Sequence, residues 1–351
     1  MAVKKIHEGI EVWRVFACSA VIITHLKPGI GIFPIFSMII VRSTDFAVPF
    51  FFCVSGYFLS KGLKKKENKE MLALKYINRL MIPFIFWYII FFLFPDMSAL
   101  NSDNFFNIPN YFQLIEGRIQ LLLKHPWIAI SQGPGYHLWY LVGLAIAFFV
   151  IGFDLKIFSI RIRHHSMLLL GIVTYLVVFF SDALGWSQLH LRPFAGIFFT
   201  SMGYIIEQKK ISLRTEIAVG IFSIFFVLHL LETSFWQNID SGFDETFNIS
   251  AMFLGISVFL LALSTPVVKP FFKRLGTLGS LTLGVYLIHP LLIYAYNICT
   301  IRIDGIPKIL LGISAPFLVM GLSFATAYIL KKTPLFAIST GSVKMGRRNL
   351  L

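Results

Sequence analysis

Beyond its first residue, the stretch from Glu8 to Leu26 carries three ionisable side chains, Glu11, Arg14 and His25, and is otherwise almost entirely apolar. Their types suit anion binding and proton transfer: a guanidinium for phosphate, a carboxylate to hold it, an imidazole to take a proton near neutral pH. A charged group at the middle of a membrane helix costs about 2.5–3.5 kcal/mol, so such residues face a protein interior or a wet cavity. Helix geometry relates them. The eleven-residue step from Arg14 to His25 sweeps ~1,100°, within ~20° of three full turns, so both point the same way. Along the axis they stand ~16 Å apart, too far to touch but within reach of one elongated ligand. Glu11 lies one turn below Arg14, at the i,i+3 spacing that lets a carboxylate hold a guanidinium. The plain alternative is a salt-bridged helix foot with a structural histidine above it.

Other polar groups also sit where lipid discourages them. Ser55-Gly56 interrupts the aromatic run Phe50 to Tyr57, and the small pair permits close approach of a helix or a ligand. Lys75 and Arg79 precede Met81-Ile82-Pro83, where basic groups either grip phosphates or merely anchor a span. Tyr136-His137-Leu138-Trp139-Tyr140-Leu141 opens a further run, as an interfacial aromatic belt would. Tyr286 and His289 stand one turn apart before Pro290, giving a second intramembrane histidine. His7, His125, His164, His165, His190 and His229 receive no role. No phosphate-binding loop, dinucleotide fingerprint, nucleophile elbow or zinc-protease helix occurs.

The composition that must position these groups is that of a membrane protein. Of 351 residues, 57% are hydrophobic and 14% charged, with mean hydropathy +0.77, against about 45–50% and 25% in soluble domains. About ten apolar runs have spanning character, with cores near 8–26, 44–60, 79–95, 137–153, 167–181, 192–206, 213–231, 249–264, 279–297 and 308–330. The net charge of +14 lies in short loops between them, which argues against a nucleic-acid partner. Lys4, Lys5, Lys61, Lys64–Lys66, Lys69, Lys75, Lys156, Arg161, Arg163, Lys209, Lys210, Arg214, Lys269, Lys273, Arg274 and the tail from Lys331 to Arg348 fall on one side. The 96–136 and 232–248 loops carry the acids on the other. This is positive-inside alternation with both termini cytoplasmic. The 96–136 loop reads as a surface or re-entrant helix, or as a cover over a cavity. Cys18, Cys53 and Cys299 show neither disulfide nor metal spacing. The N-terminal run reads as a mature helix, because Glu11 and Arg14 interrupt it and no cleavage site follows.

Taken together and in order, these elements resemble the integral-membrane O-acyltransferases of acyltransferase family 3. The resemblance rests on Glu11-x-x-Arg14…His25, Phe51-Phe52-x-x-Ser55-Gly56, the basic entry before Pro83, His137-Leu138-Trp139-Tyr140-Leu141, and Gly284-Val285-Tyr286-Leu287-Ile288-His289-Pro290. It covers essentially the whole chain, read as a single transmembrane domain over 1–351. Three positions depart from the family pattern: Pro49 where many members have Asp, Tyr76 where many have a second Arg, and Glu11 where Asp is commoner. The Val-Pro-Phe-Phe-Phe variant also resembles the membrane part of membrane-bound serine racemases.

The resemblance implies an all-α, polytopic protein of the bacterial inner membrane that moves an acyl group, most simply acetyl, from cytoplasmic acyl-CoA to a hydroxyl. The acceptor is then an envelope polysaccharide or lipid-linked glycan, with acetyl-CoA as co-substrate, lipid as surroundings and no metal. In that reading His25 is the general base, and Arg14, held by Glu11, is the donor anchor. Lys75, Arg79 and Ser55 stand on the acyl-CoA side, and His137, Trp139, Tyr286 and His289 line the acceptor side. A transporter for a small molecule such as an amino acid is the alternative.

Overall fold

The computed structural model describes residues 2–26, 34–64, 69–100, 106–157, 160–183, 191–239, 248–266, 269–303 and 305–340. The basic residues at 65 and 66, the acids at 240–245 and the tail beyond 340 lie outside these. In chain order the helices are α1 (Ala2–Leu26), α2 (Pro34–Arg42), α3 (Ala47–Leu63), α4 (Lys69–Leu93) and α5 (Ile108–Lys124). Next come α6 (Pro126–Gln132), α7 (Trp139–Ile157), α8 (Ile160–Ala183), α9 (Arg192–Gln208) and α10 (Thr215–Ile239). The last are α11 (Ile249–Ser264), α12 (Pro270–Thr277), α13 (Thr282–Thr300), α14 (Ile306–Leu330) and α15 (Leu335–Ser339). No strand occurs among the described residues. Apolar runs resolve into helices because hydrocarbon offers no partner for a backbone amide, so each segment must bond to itself.

Seven segments among the described residues are long and apolar enough to cross a membrane: Glu8–Leu26, Ser37–Leu63, Met71–Leu93, His164–Ser181, Thr215–Trp236, Pro270–Thr300 and Ile306–Leu330. The three other runs expected to span fold as α7, α9 and α11. Of these, α7 and α11 are apolar but short, and α9 is wrapped by protein along nearly its whole length. An inner helix needs no lipid-facing stripe, so it can be shorter and more polar than a spanning rule demands. The outer α10 and α14 bury only 17% of their apolar windows.

Close approach holds the centre together. α3 packs most extensively on α9, which also packs on α7 and α8; α1 touches α3, α11, α12, α13 and α14. Gly56 lies against the Thr200 carbonyl and Gly203 against the Cys53 carbonyl, with no room at either for a Cβ. Within lipid, association cannot draw on water exclusion, so backbone contact of this kind supplies the packing energy. Around the crossing, Phe50, Phe52, Phe199 and Phe259 are fully buried.

The 96–136 loop contributes α5, whose N-cap Asn107 accepts from Asn110 N at 3.0 Å. No residue of α5 is buried. Its Arg118 donates through Nη1 to the Phe92 and Phe94 carbonyls, both at 2.8 Å, and through Nη2 to Asp96 at 3.0 Å. A guanidinium on the last carbonyls of α4 satisfies groups the helix cannot and opposes its negative end.

Candidate active site

Arg14 and Glu11 meet as their spacing requires: Arg14 Nη1 donates to both Glu11 carboxylate oxygens at 3.0 Å. The pair is partly open, with side chains 23% and 29% exposed. Arg14 lines a cavity of about 260 Å³ together with Ser55, Tyr76, Arg79, Tyr140 and Tyr286. Ser55 Oγ donates to the Phe51 carbonyl at 2.8 Å and lies 3.4 Å from the Tyr140 hydroxyl. Among the described residues no imidazole, carboxylate or amine is hydrogen-bonded to it to make it a nucleophile. Lys75 is exposed and stands off this lining.

His25 lines a second cavity, of about 250 Å³, with Asp45, Tyr136, His137, Trp139 and Arg192. The face shared by Arg14 and His25 therefore opens into two cavities, which meet at Tyr286, a residue that lines both. The reason lies on other helices. Helical phase fixes the direction of two side chains on α1, but Tyr140 from α7 and Tyr286 from α13 enter the seam between them, ring centroids 5.3 Å apart.

Three histidines from distant segments converge at the second cavity. His25 stacks on His289 with centroids 5.5 Å apart and planes at 21°; His137 meets His289 edge-on, also at 5.5 Å. Tyr136 lies 4.4 Å from His25. Among the described residues no group of three His, Cys, Asp or Glu has a metal-holding arrangement; these rings pack on one another instead.

Local chemistry explains His289. Pro290 has no N–H to give the Tyr286 carbonyl four residues earlier, so an interior acceptor is left open. The His289 ring fills it, Nδ1 lying 2.7 Å from that carbonyl. Nδ1 therefore carries the proton, and Nε2, which has no hydrogen bond among the described residues, is the ring's acceptor nitrogen. The Tyr286 hydroxyl donates to the His137 carbonyl at 2.6 Å, joining α13 to the start of α7.

Sequence reasoning passed over the far wall. Thr24 and Thr44 share a 2.6 Å hydroxyl contact. Asp45, next to Thr44, meets Nε2 of the fully buried His229 at 3.0 Å, and His229 Nδ1 meets Ser250 Oγ at 3.0 Å. An ionisable residue inside the apolar run of α10 was a usable signal. Its partner, 184 residues away, was not.

Seven segments among the described residues long and apolar enough to cross a membrane, with polar side chains gathered in two adjoining cavities, mark a multi-pass membrane protein. The family model of acyltransferase family 3, an acyltransferase domain, matches residues 7–332, and the chain belongs to that family. A curated relative, an amino-acid racemase of Enterococcus faecalis, is 27% identical over 309 residues, 81% of this chain. The chain spans about two fifths (41%) of that relative's length. No solved structure matches.

Proposed function

We propose that the protein transfers an acyl group, most simply acetyl, from acyl-CoA to a hydroxyl of a cell-envelope glycan. The observation that carries this is the meeting of two cavities at one tyrosine: a cationic one with Arg14 and Arg79, and one lined by the imidazoles of His25 and His137, against which the buried His289 packs, the two sharing Tyr286. By the positive-inside rule the end bearing Lys61, Lys64, Lys209 and Lys210 is cytoplasmic, with both termini there and about ten crossings in a bacterial inner membrane. Acyl-CoA then enters beside Arg14 and Arg79, whose guanidinium groups suit its phosphates.

The thin pantetheine arm runs along α1 past Tyr140 and Tyr286, bringing the thioester to His25. There the imidazole takes the proton of the acceptor hydroxyl while the oxygen attacks the thioester carbonyl. The carbon–sulfur bond breaks, an ester forms, and the proton passes from the imidazolium to the departing thiolate, giving free CoA. Ser55 is a lining residue in this scheme, and no covalent enzyme intermediate is needed. The racemase relative lends nothing to the alternative of amino-acid transport.

The test is twofold. Purified protein is expected to release CoA from acetyl-CoA, read by a thiol reagent. Envelope glycans from cells with the protein are expected to carry one extra acyl mass per modified unit. No CoA release and no mass difference would refute the reading.

A further inference from the structure

We propose that Asp45 holds the acceptor in the His25 cavity, its carboxylate receiving a hydrogen bond from the acceptor, with His229 and Ser250 fixing that carboxylate from behind. The inference rests on the acyltransferase reading and adds a specificity-determining residue to it.

The Asp45 side chain is 4% exposed, and a buried carboxylate is costly unless its oxygens are satisfied. Both of its partners meet one oxygen. His229 Nε2 stands 3.0 Å from Oδ2, and Arg42 Nη1 stands 3.6 Å from the same atom. Oδ1 has no hydrogen bond or ion pair among the described residues, and Asp45 lines the cavity. An acceptor oxygen in a cavity wall calls for a donor from whatever occupies that cavity.

The supporting chain has a defined direction. A carboxylate can only accept, so His229 presents Nε2–H to Asp45, and the opposite ring nitrogen, Nδ1, is hydrogen-bonded to the Ser250 hydroxyl. Ser250 is fixed in turn, its backbone N–H donating to Glu232 Oε2 at 2.6 Å. The residue types are those of a serine hydrolase triad, but the order in space is reversed. The acid faces the cavity and the serine lies behind, so the chain orients a carboxylate and does not activate a nucleophile.

Two further observations tie Asp45 to the reaction. The Thr24–Thr44 contact of 2.6 Å joins the residue before His25 to the residue before Asp45, so base and acceptor anchor are carried on one hydrogen-bonded unit. Charge favours a hydroxyl over an ammonium as the donor. Arg42 already offsets the carboxylate, and Arg192 lines the same cavity, so a cationic group would add like charge. Trp139 and Tyr136 also line the cavity, and aromatic side chains of this kind suit a sugar ring.

The test uses the full-length protein in detergent, [14C]acetyl-CoA, and envelope fraction from cells lacking the protein as the acceptor. Asp45→Ala is expected to raise the amount of envelope fraction needed for half-maximal labelling at least about tenfold, the scale of one hydrogen bond to a charged group. The acetyl-CoA KM is expected to stay within about twofold, since the donor's phosphates are held at Arg14 and Arg79 in the other cavity and only its thioester end reaches His25. Asp45→Asn should fall between, and His229→Gln should move the acceptor dependence in the same direction. If Asp45→Ala does not fold, Asp45→Asn and His229→Gln carry the comparison. An unchanged acceptor dependence, or a rise in acetyl-CoA KM as large as that for acceptor, overturns the proposal. Wild-type protein that transfers no label refutes the acyltransferase reading itself and this proposal with it.

Discussion

Replacing Arg14 separates a structural role from a substrate-binding one. The guanidinium gives only Nη1 to Glu11, at 3.0 Å from each carboxylate oxygen, which leaves Nη2 and Nε for an anion in the cavity it lines. With side chains 23% and 29% exposed, the pair itself is worth about 0–1 kcal/mol of stability. A hydrogen bond from a charged donor to phosphate is worth about 1.5–3 kcal/mol, or roughly 10–150-fold in affinity. Arg14→Ala should therefore raise the acetyl-CoA KM by that range while shifting the melting temperature by only a degree or two. Arg14→Lys keeps the charge but loses the planar fork, so it should recover part of the loss. Glu11→Gln, which frees the guanidinium to wander, should weaken donor binding less than Arg14→Ala does. The assay is initial-rate CoA release across acetyl-CoA concentrations, beside a thermal unfolding scan of each variant. A KM unchanged in Arg14→Ala, with a melting temperature lowered by several degrees, would make the pair a helix fastening and refute the reasoning.

Two other substitutions test the scaffold. Gly203→Leu pushes a side chain into the Cys53 carbonyl, where there is no room even for a Cβ. Overpacking at a helix crossing costs about 1–3 kcal/mol or more, so the variant should melt lower, and one that melts like wild type would remove the α3–α9 contact from the account. His289→Ala strands the Tyr286 carbonyl that the ring now serves at 2.7 Å, at about 1–3 kcal/mol. Because the missing proline N–H created that need, His289→Ala with Pro290→Ala should regain much of the stability. A double variant no more stable than the single one would contradict it.

Much of the architecture was readable along the chain, since hydropathy locates a helix whether or not it touches lipid. It could not tell outer from inner, so α7, α9 and α11 looked like ordinary spans. The Glu11–Arg14 pair was legible because both residues sit on one helix, where spacing is geometry. His25, His137 and His289 were each noticeable as ionisable groups in apolar surroundings, but their convergence depends on how α1, α7 and α13 pack. The same limit hid the wall of Tyr140 and Tyr286 and the contact of Asp45 with His229. Pairings between helices are properties of the fold, which no local pattern encodes.

Catalysis by His25 is tested most directly by CoA release from acetyl-CoA in wild-type protein and His25→Ala, both reconstituted in lipid vesicles with envelope acceptor. The account expects steady release by the wild type and, in a folded His25→Ala protein, a loss of at least about 10²-fold, the lower end of what a positioned general base contributes. Equal release by the two proteins would contradict it.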